Sequence, residues 1–185
     1  VSEARAYQAK GYIAAAERNG EIVDGFDIGN SPFHYMDPQI KGKDVVLTTT
    51  NGTKAIERAK AADHIIVGSF LNLSAIADYL DKQNKNVILL CAGWKDRFNL
   101  EDTLFAGAVV DKLKDHPIFT GLADSSLAAL NLYQQAKPDI NGFLANSSHR
   151  RRLARLDLEK DIEYCLQLDI SKKVPTFRGN ALIAD

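Results

Sequence analysis

Three short apolar runs, at 45–47, 64–67 and 86–91, are each followed within a few residues by a stretch of helical spacing. That alternation constrains the chain more than any single residue does. Short β-branched runs bounded by glycine, asparagine or threonine read as buried strands. The stretches at 53–62, 73–83 and 100–114 read as helices. In the first, Ala55, Ile56 and Ala59 share one face, and Lys54, Arg58 and Lys60 take others. A strand that returns parallel to its predecessor needs a crossover, and a helix is the compact one. The expectation is therefore an α/β fold: a mostly parallel sheet covered by helices. Further helices are expected at 124–137, 147–156 and 158–167. The opening segment, 1–18, also reads as helix, with Ser2 as its N-cap. Neither a repeat nor a linker interrupts the chain, so one layered α/β domain over 1–185 is expected. Opening inside a helix without an initiating Met leaves open a fragment lacking a preceding strand.

Composition narrows the function classes. Lys and Arg number 23 against 24 Asp and Glu, a net charge of -1. That balance argues against a general nucleic-acid or anionic-membrane binder. No apolar run approaches the roughly 20 residues that span a bilayer. The two cysteines, Cys91 and Cys165, lie in apolar segments and are read as reduced thiols of a cytoplasmic protein.

In open α/β sheets ligands bind beyond the carboxyl ends of the strands, so the strand exits are the places to search. The first exit reads TTTNGT, residues 48–53. Thr49, Thr50 and Thr53 offer hydroxyls, Asn51 an amide, and Gly52 a position without Cβ. A helix start with exposed N–H groups lets an anion approach closely there. An ordinary capped turn has the same composition, so both readings stand. The third exit, CAGWKDRFNLED at 91–102, ends on Glu101 and Asp102. Acids favour a first helical turn through the helix dipole alone; beside an anion site they could instead hold Mg²⁺. Before the first strand, DGFDIGNSP offers Asp27 as a second metal carboxylate and Asn30 and Ser31 as substrate donors; a plain turn cluster is the other reading. In NSSHRRRL, His149 and Arg150 open a helix with basic residues against its dipole, which an acidic ligand or a solvated face would explain. Cys91 and Arg97, separated by five residues, match the spacing of a thiolate phosphatase loop, but the bulky Trp94, Lys95 and Asp96 intervene.

Taken together, GFDIGNSP, LTTTNGTKAI, VGSFLN, LCAG followed by LED, SSHRRRL and DIEYCLQLD with a following VP resemble the 2-phosphosulfolactate phosphatase (ComB) family, in the family's order, from about Glu17 to Pro175. The resemblance implies an α/β fold of the family's own kind. It implies a Mg²⁺-dependent hydrolase that removes phosphate from 2-phospho-3-sulfolactate in coenzyme M biosynthesis. On that basis Thr49, Thr50, Asn51, Gly52 and Thr53 are expected to hold phosphate oxygens. Asp27 with Glu101 or Asp102 is expected to hold Mg²⁺, these three acids forming the catalytic set, with water as nucleophile. Asn30 and Ser31 would orient substrate, and His149, Arg150 or Arg97 would pair with its sulfonate or carboxylate. The partner is a small phosphate ester, with no nucleic acid and no membrane; self-association is left open. Three rivals remain: a phosphocysteine route through Cys91 and Arg97, a non-catalytic small-anion-binding module, and a plain structural domain.

Overall fold

Residues 100–113 read LEDTLFAGAVVDKL, apolar almost all round after the first turn, which is the composition of a helix packed on several sides. In the computed structural model, which describes residues 1–18 and 21–184, this segment is the central helix of the larger core. Numbered in chain order, the helices are α1 (Ser2–Gln8), α2 (Gly52–Ala59), α3 (Leu73–Gln83), α4 (Leu100–Leu113), α5 (Asp124–Ala136), α6 (Ile140–Leu144), α7 (Ser148–Ala154) and α8 (Glu159–Cys165). The strands are β1 (Ile13–Arg18), β2 (Glu21–Ile22), β3 (Val45–Thr48), β4 (Thr176–Arg178) and β5 (Ala181–Ile183).

On one side α3 presents Leu73, Ile76, Ala77 and Leu80, spaced three and four apart, to the core. On another, α5 approaches α4 so closely that a Cβ on Gly107 would stand 2.1 Å from the Ala129 carbonyl oxygen. Only glycine fits there. Leu73, Leu104 and Leu144 are fully buried at the centre, and each such side chain contributes about 1.5–3 kcal/mol. The chain's last third is strapped across the start of α3: the Asp169 carboxylate accepts from the Ser74 N–H and hydroxyl, and the Asn72 amide donates to the Lys173 carbonyl.

A smaller core of Ala4, Ala14, Ala16 and Phe26, with Val23 and Val46 against it, joins α1 to a three-stranded sheet ordered β2-β1-β3. β1 and β3 run parallel, Ile13 opposite Val45 and Ala16 opposite Thr48. β4 and β5 form a separate antiparallel hairpin.

The fold is thus mixed α/β, but the sheet differs from the expected one. The opening helix stops at Gln8, at a turn whose Gly11 has φ +88°. Residues 13–18 are strand although alanine favours helix. Ala14–Ala16 are flanked by β3 on one edge and by Ile28 on the other, and cross-chain pairing outweighs the modest alanine preference. Among the described residues, 64–67 form one antiparallel bridge, Ile66 to Thr176, with the Val67 N–H donating to the Pro175 carbonyl and the Phe177 N–H to the Ile65 carbonyl. Residues 86–91 pair with no strand among the described residues. Their side chains still alternate: Val87 and Leu89 pack on the large core, while Ile88 is 89% and Leu90 51% exposed. Apolar composition sets which face turns inward; a ladder also needs a neighbour alongside. Among the described residues no helix is long and apolar enough to cross a membrane.

Candidate functional site

The corner after β3 is built as a capped turn that also receives a neighbour. Thr49 Oγ1 accepts the Thr53 N–H at 3.2 Å, and the Thr53 hydroxyl donates to the Thr49 carbonyl at 2.9 Å. These two hydroxyls close the turn, so the capping reading holds for them. Asn51 faces elsewhere: its Oδ1 accepts the Lys95 N–H at 3.3 Å. Lys95 and Asp96 are the tip of a two-residue hairpin in which Trp94 and Arg97 exchange both backbone hydrogen bonds. Such tips need positive φ at both positions, and glycine or asparagine usually supplies it. Here Lys95 and Asp96 themselves sit at φ 52° and 57°. The strain is held by Asp96, whose carboxylate meets Lys54 at 2.6 Å and Arg58 at 3.4 Å. The lysine and arginine beside it hold the Asp96 carboxyl below its ordinary range.

The hairpin leads back to the carboxylate pair. Asn99 caps α4, its Oδ1 accepting the N–H groups of Glu101 and Asp102, which places both acids in the first turn. Asp102 Oδ2 accepts the Gly93 N–H at 2.7 Å. Gly93 has φ +68°, and a Cβ there would lie 2.6 Å from the Arg97 carbonyl oxygen, so the close return of the hairpin requires glycine. Burial raises the Asp102 carboxyl, and the Gly93 hydrogen bond partly offsets it. Burial, and next the neighbouring Asp102 charge, push Glu101 up to about 7; Arg150 and Arg152 pull the other way.

Helix α7 brings the third group. Ser147 Oγ accepts the Arg150 N–H at 3.0 Å and caps the helix. His149 Nε2 then lies 3.2 Å from Glu101 Oε2. Burial, and next the Arg152 charge, lower His149 to about 4. At neutral pH the pair is therefore a neutral imidazole against a carboxyl near its midpoint. The basic start of α7 is accounted for locally: Arg150 pairs with Glu159 at 2.8 Å and bonds Asn141, and Arg152 lies over Trp94 with Cζ 4.8 Å from the ring centre.

Not all of the expected residues converge. Asn51, Glu101, Asp102 and His149 belong to one connected constellation, through Lys95, Gly93 and Trp94. Gly52 starts α2 beside it, and Thr50 lies exposed on the same corner. Asn30 and Ser31 follow Ile28, which bridges β1 in parallel on the edge opposite β3, so they leave at the same carboxyl end of the strands as the corner. Phe33 on Tyr164, ring centres 5.5 Å apart, ties that loop to α8. The metal set of Asp27 with Glu101 and Asp102 is not assembled: among the described residues no three His, Cys, Asp or Glu side chains form a ligand group. The loop is pinned at Gly29, whose N–H donates to His34 Nδ1 and whose carbonyl accepts the Tyr35 hydroxyl, and Asp27 stays exposed. Arg97 is exposed, tied to Trp94 through its backbone. Desolvation, and next the Asp102 charge, push the Cys91 thiol up, the direction opposite to what a thiolate nucleophile needs.

Sequence reasoning missed Arg152, Trp94, Lys54 and Arg58. Arg152 was findable: it stands three residues after His149, and residues so spaced on a helix are neighbours. The contacts of Trp94 depend on the hairpin, which no local pattern announces.

A sequence model of one protein family, described as 2-phosphosulpholactate phosphatase, matches residues 1–180. The probable 2-phosphosulfolactate phosphatase of Thermotoga petrophila is 43% identical over 99% of this chain and 78% of its own length. The protein of the same name from Thermotoga maritima is 40% identical over 99% of this chain and 78% of its own. That from Caldanaerobacter subterraneus subsp. tengcongensis is 38% identical over 91% and 69%.

Proposed function

This chain belongs to the 2-phosphosulpholactate phosphatase family, and we propose that it hydrolyses 2-phospho-3-sulfolactate to 3-sulfolactate and inorganic phosphate. The observation that carries the reading is the joining of Glu101, Asp102 and His149 beside a hairpin docked on the corner after β3. Phosphate ester hydrolysis asks for little covalent work from the protein. It asks for positioning, charge neutralisation and one proton moved in each direction.

Water attacks phosphorus, the ester P–O bond breaks, and the departing alkoxide takes a proton. Glu101, held near 7, exchanges a proton at neutral pH, the property such a group needs. His149 holds the Glu101 carboxyl in place. The exposed part of the corner, Thr50 with Gly52 beside it, receives phosphate oxygens, and Asn30 and Ser31 orient the rest of the substrate. Lys54 and Arg58, now on Asp96, supply positive charge beside them.

Two adjacent half-buried carboxylates, both raised by burial, suit a hard divalent cation with substrate oxygens completing its shell. Asp102 would hold Mg²⁺, which would supply charge neutralisation at the phosphoryl group, and Glu101 beside it keeps its proton-exchanging role. The place of the reaction is coenzyme M biosynthesis in the cytoplasm, where the free thiols of Cys91 and Cys165 stay reduced.

The test is phosphate release from 2-phospho-3-sulfolactate with Mg²⁺, against 2-phospholactate, which lacks the sulfonate. Release from the first, faster than from the second and abolished by a chelator, is the expected outcome. A raised melting temperature with phosphosulfolactate but no phosphate released would assign the chain to the anion-binding alternative instead.

A further inference from the structure

We propose that Arg152 is a positioning residue: seated on Trp94, its guanidinium fixes His149 as the Nε2–H tautomer and aims that hydrogen at Glu101. The catalytic consequence rests on the hydrolase reading above; the tautomer does not.

Arg152 Nη2 lies 2.7 Å from His149 Nδ1. A guanidinium carries only donors and keeps its proton at any pH a protein survives. Nδ1 must therefore accept. A neutral imidazole has one N–H, so the hydrogen sits on Nε2, 3.2 Å from Glu101 Oε2. Both ring nitrogens are thus committed, one to a group that cannot reverse its role. The facing Glu101 oxygen is thereby held as an acceptor of the Nε2 hydrogen.

Arg152 is itself held. Its guanidinium covers the Trp94 ring, and Lys95 Nζ lies 4.6 Å from the same ring centre. Trp94 is a strand position of the hairpin whose tip is tied to α2 by the Lys95 N–H on Asn51 and by Asp96 on Lys54. The proton position on His149 is therefore tied, through Trp94 and Arg152, to the docking of the hairpin on the corner. An arginine placed only to cover the tryptophan would leave the ring free to carry its hydrogen on either nitrogen.

The measurement is a nitrogen-15 correlation spectrum of histidine-labelled protein at neutral pH, with His149→Asn identifying one set of signals among the four histidines. In the unsubstituted protein Nδ1 should appear unprotonated and Nε2 protonated; the reverse overturns the proposal without any arginine variant. In Arg152→Met the Nδ1–H form should appear or exchange with the other, and Arg152→Lys should restore the original pattern. Trp94→Leu, which keeps the arginine but removes its seat, should shift the tautomer in the same direction by less. Phosphate release by Arg152→Met should show kcat down about tenfold or more, with KM within about twofold. An unchanged tautomer in folded Arg152→Met overturns the inference. A wild-type protein that releases no phosphate overturns the hydrolase reading while the tautomer result stands.

Discussion

The helical half and the loop-built face obey different rules. Around α4, position is set by volume: Leu104 is fully buried, and Gly107 is the only residue that fits against the Ala129 carbonyl. On the face made by residues 48–54, 91–102 and α7, position is set by single polar contacts, such as Asn51 to Lys95, Asp102 to Gly93 and Glu101 to His149. α4 belongs to both, its first turn carrying the two acids and its remaining turns the core. A packed helix thus holds two carboxylates in partial burial, raising both, which a loop free to move toward water would not sustain.

The comparison breaks first at Leu104. Leu104→Ala should cost about 3 kcal/mol in urea unfolding, and an effect below about 1 kcal/mol would mean that the helical half is not the close-packed one.

The next effect concerns Glu101, whose placement costs stability. Its folded value of about 7 lies above the ordinary 4.5. Between those pH values the unfolded chain has released the proton that the folded protein keeps. Stability from this group therefore falls as pH rises through the window and stays low above it. Glu101→Gln should be more stable than the unsubstituted protein at pH 8, by on the order of 2 kcal/mol after allowance for its partial exposure, and equal to it below pH 4.5. Thermal melts at both pH values check this; a Gln variant that is less stable at pH 8 contradicts the burial cost. His149 has the opposite sign, its folded value of about 4 below the ordinary 6.5, so its stability cost appears as pH falls through that interval.

The smallest effect sharpens the contrast from the exposed side. Ile88→Asn, at a side chain 89% exposed, should change stability by less than about 0.5 kcal/mol. A larger loss in the same urea titration would mean that residues 86–91 are covered in solution.

What the sequence made legible follows the same division. The helices at Leu73–Gln83 and Leu100–Leu113 were readable because apolar spacing reports packing directly. A helix opening in NSSHRRRL was readable, and the structure makes Ser147 its cap. The sheet was not. Residues 86–91 have strand composition, but pairing depends on a neighbour that composition does not name, and Ala14–Ala16 became strand because β3 and Ile28 lie alongside. Glu101, Asp102, Asn51 and His149 stood out through their residue types. Asp27 stood out equally by residue type, yet it stays exposed and joins no ligand group among the described residues. Arg152 and Trp94 matter through contacts between distant segments, which local spacing records only for the histidine–arginine step.

The central claim, that the acid pair beside His149 is where the ester is hydrolysed, is tested most directly by Glu101→Gln with 2-phospho-3-sulfolactate. The account predicts a folded protein that still gains melting temperature from the ester but releases phosphate at least about 100-fold more slowly. Turnover equal to that of the unsubstituted protein would contradict it.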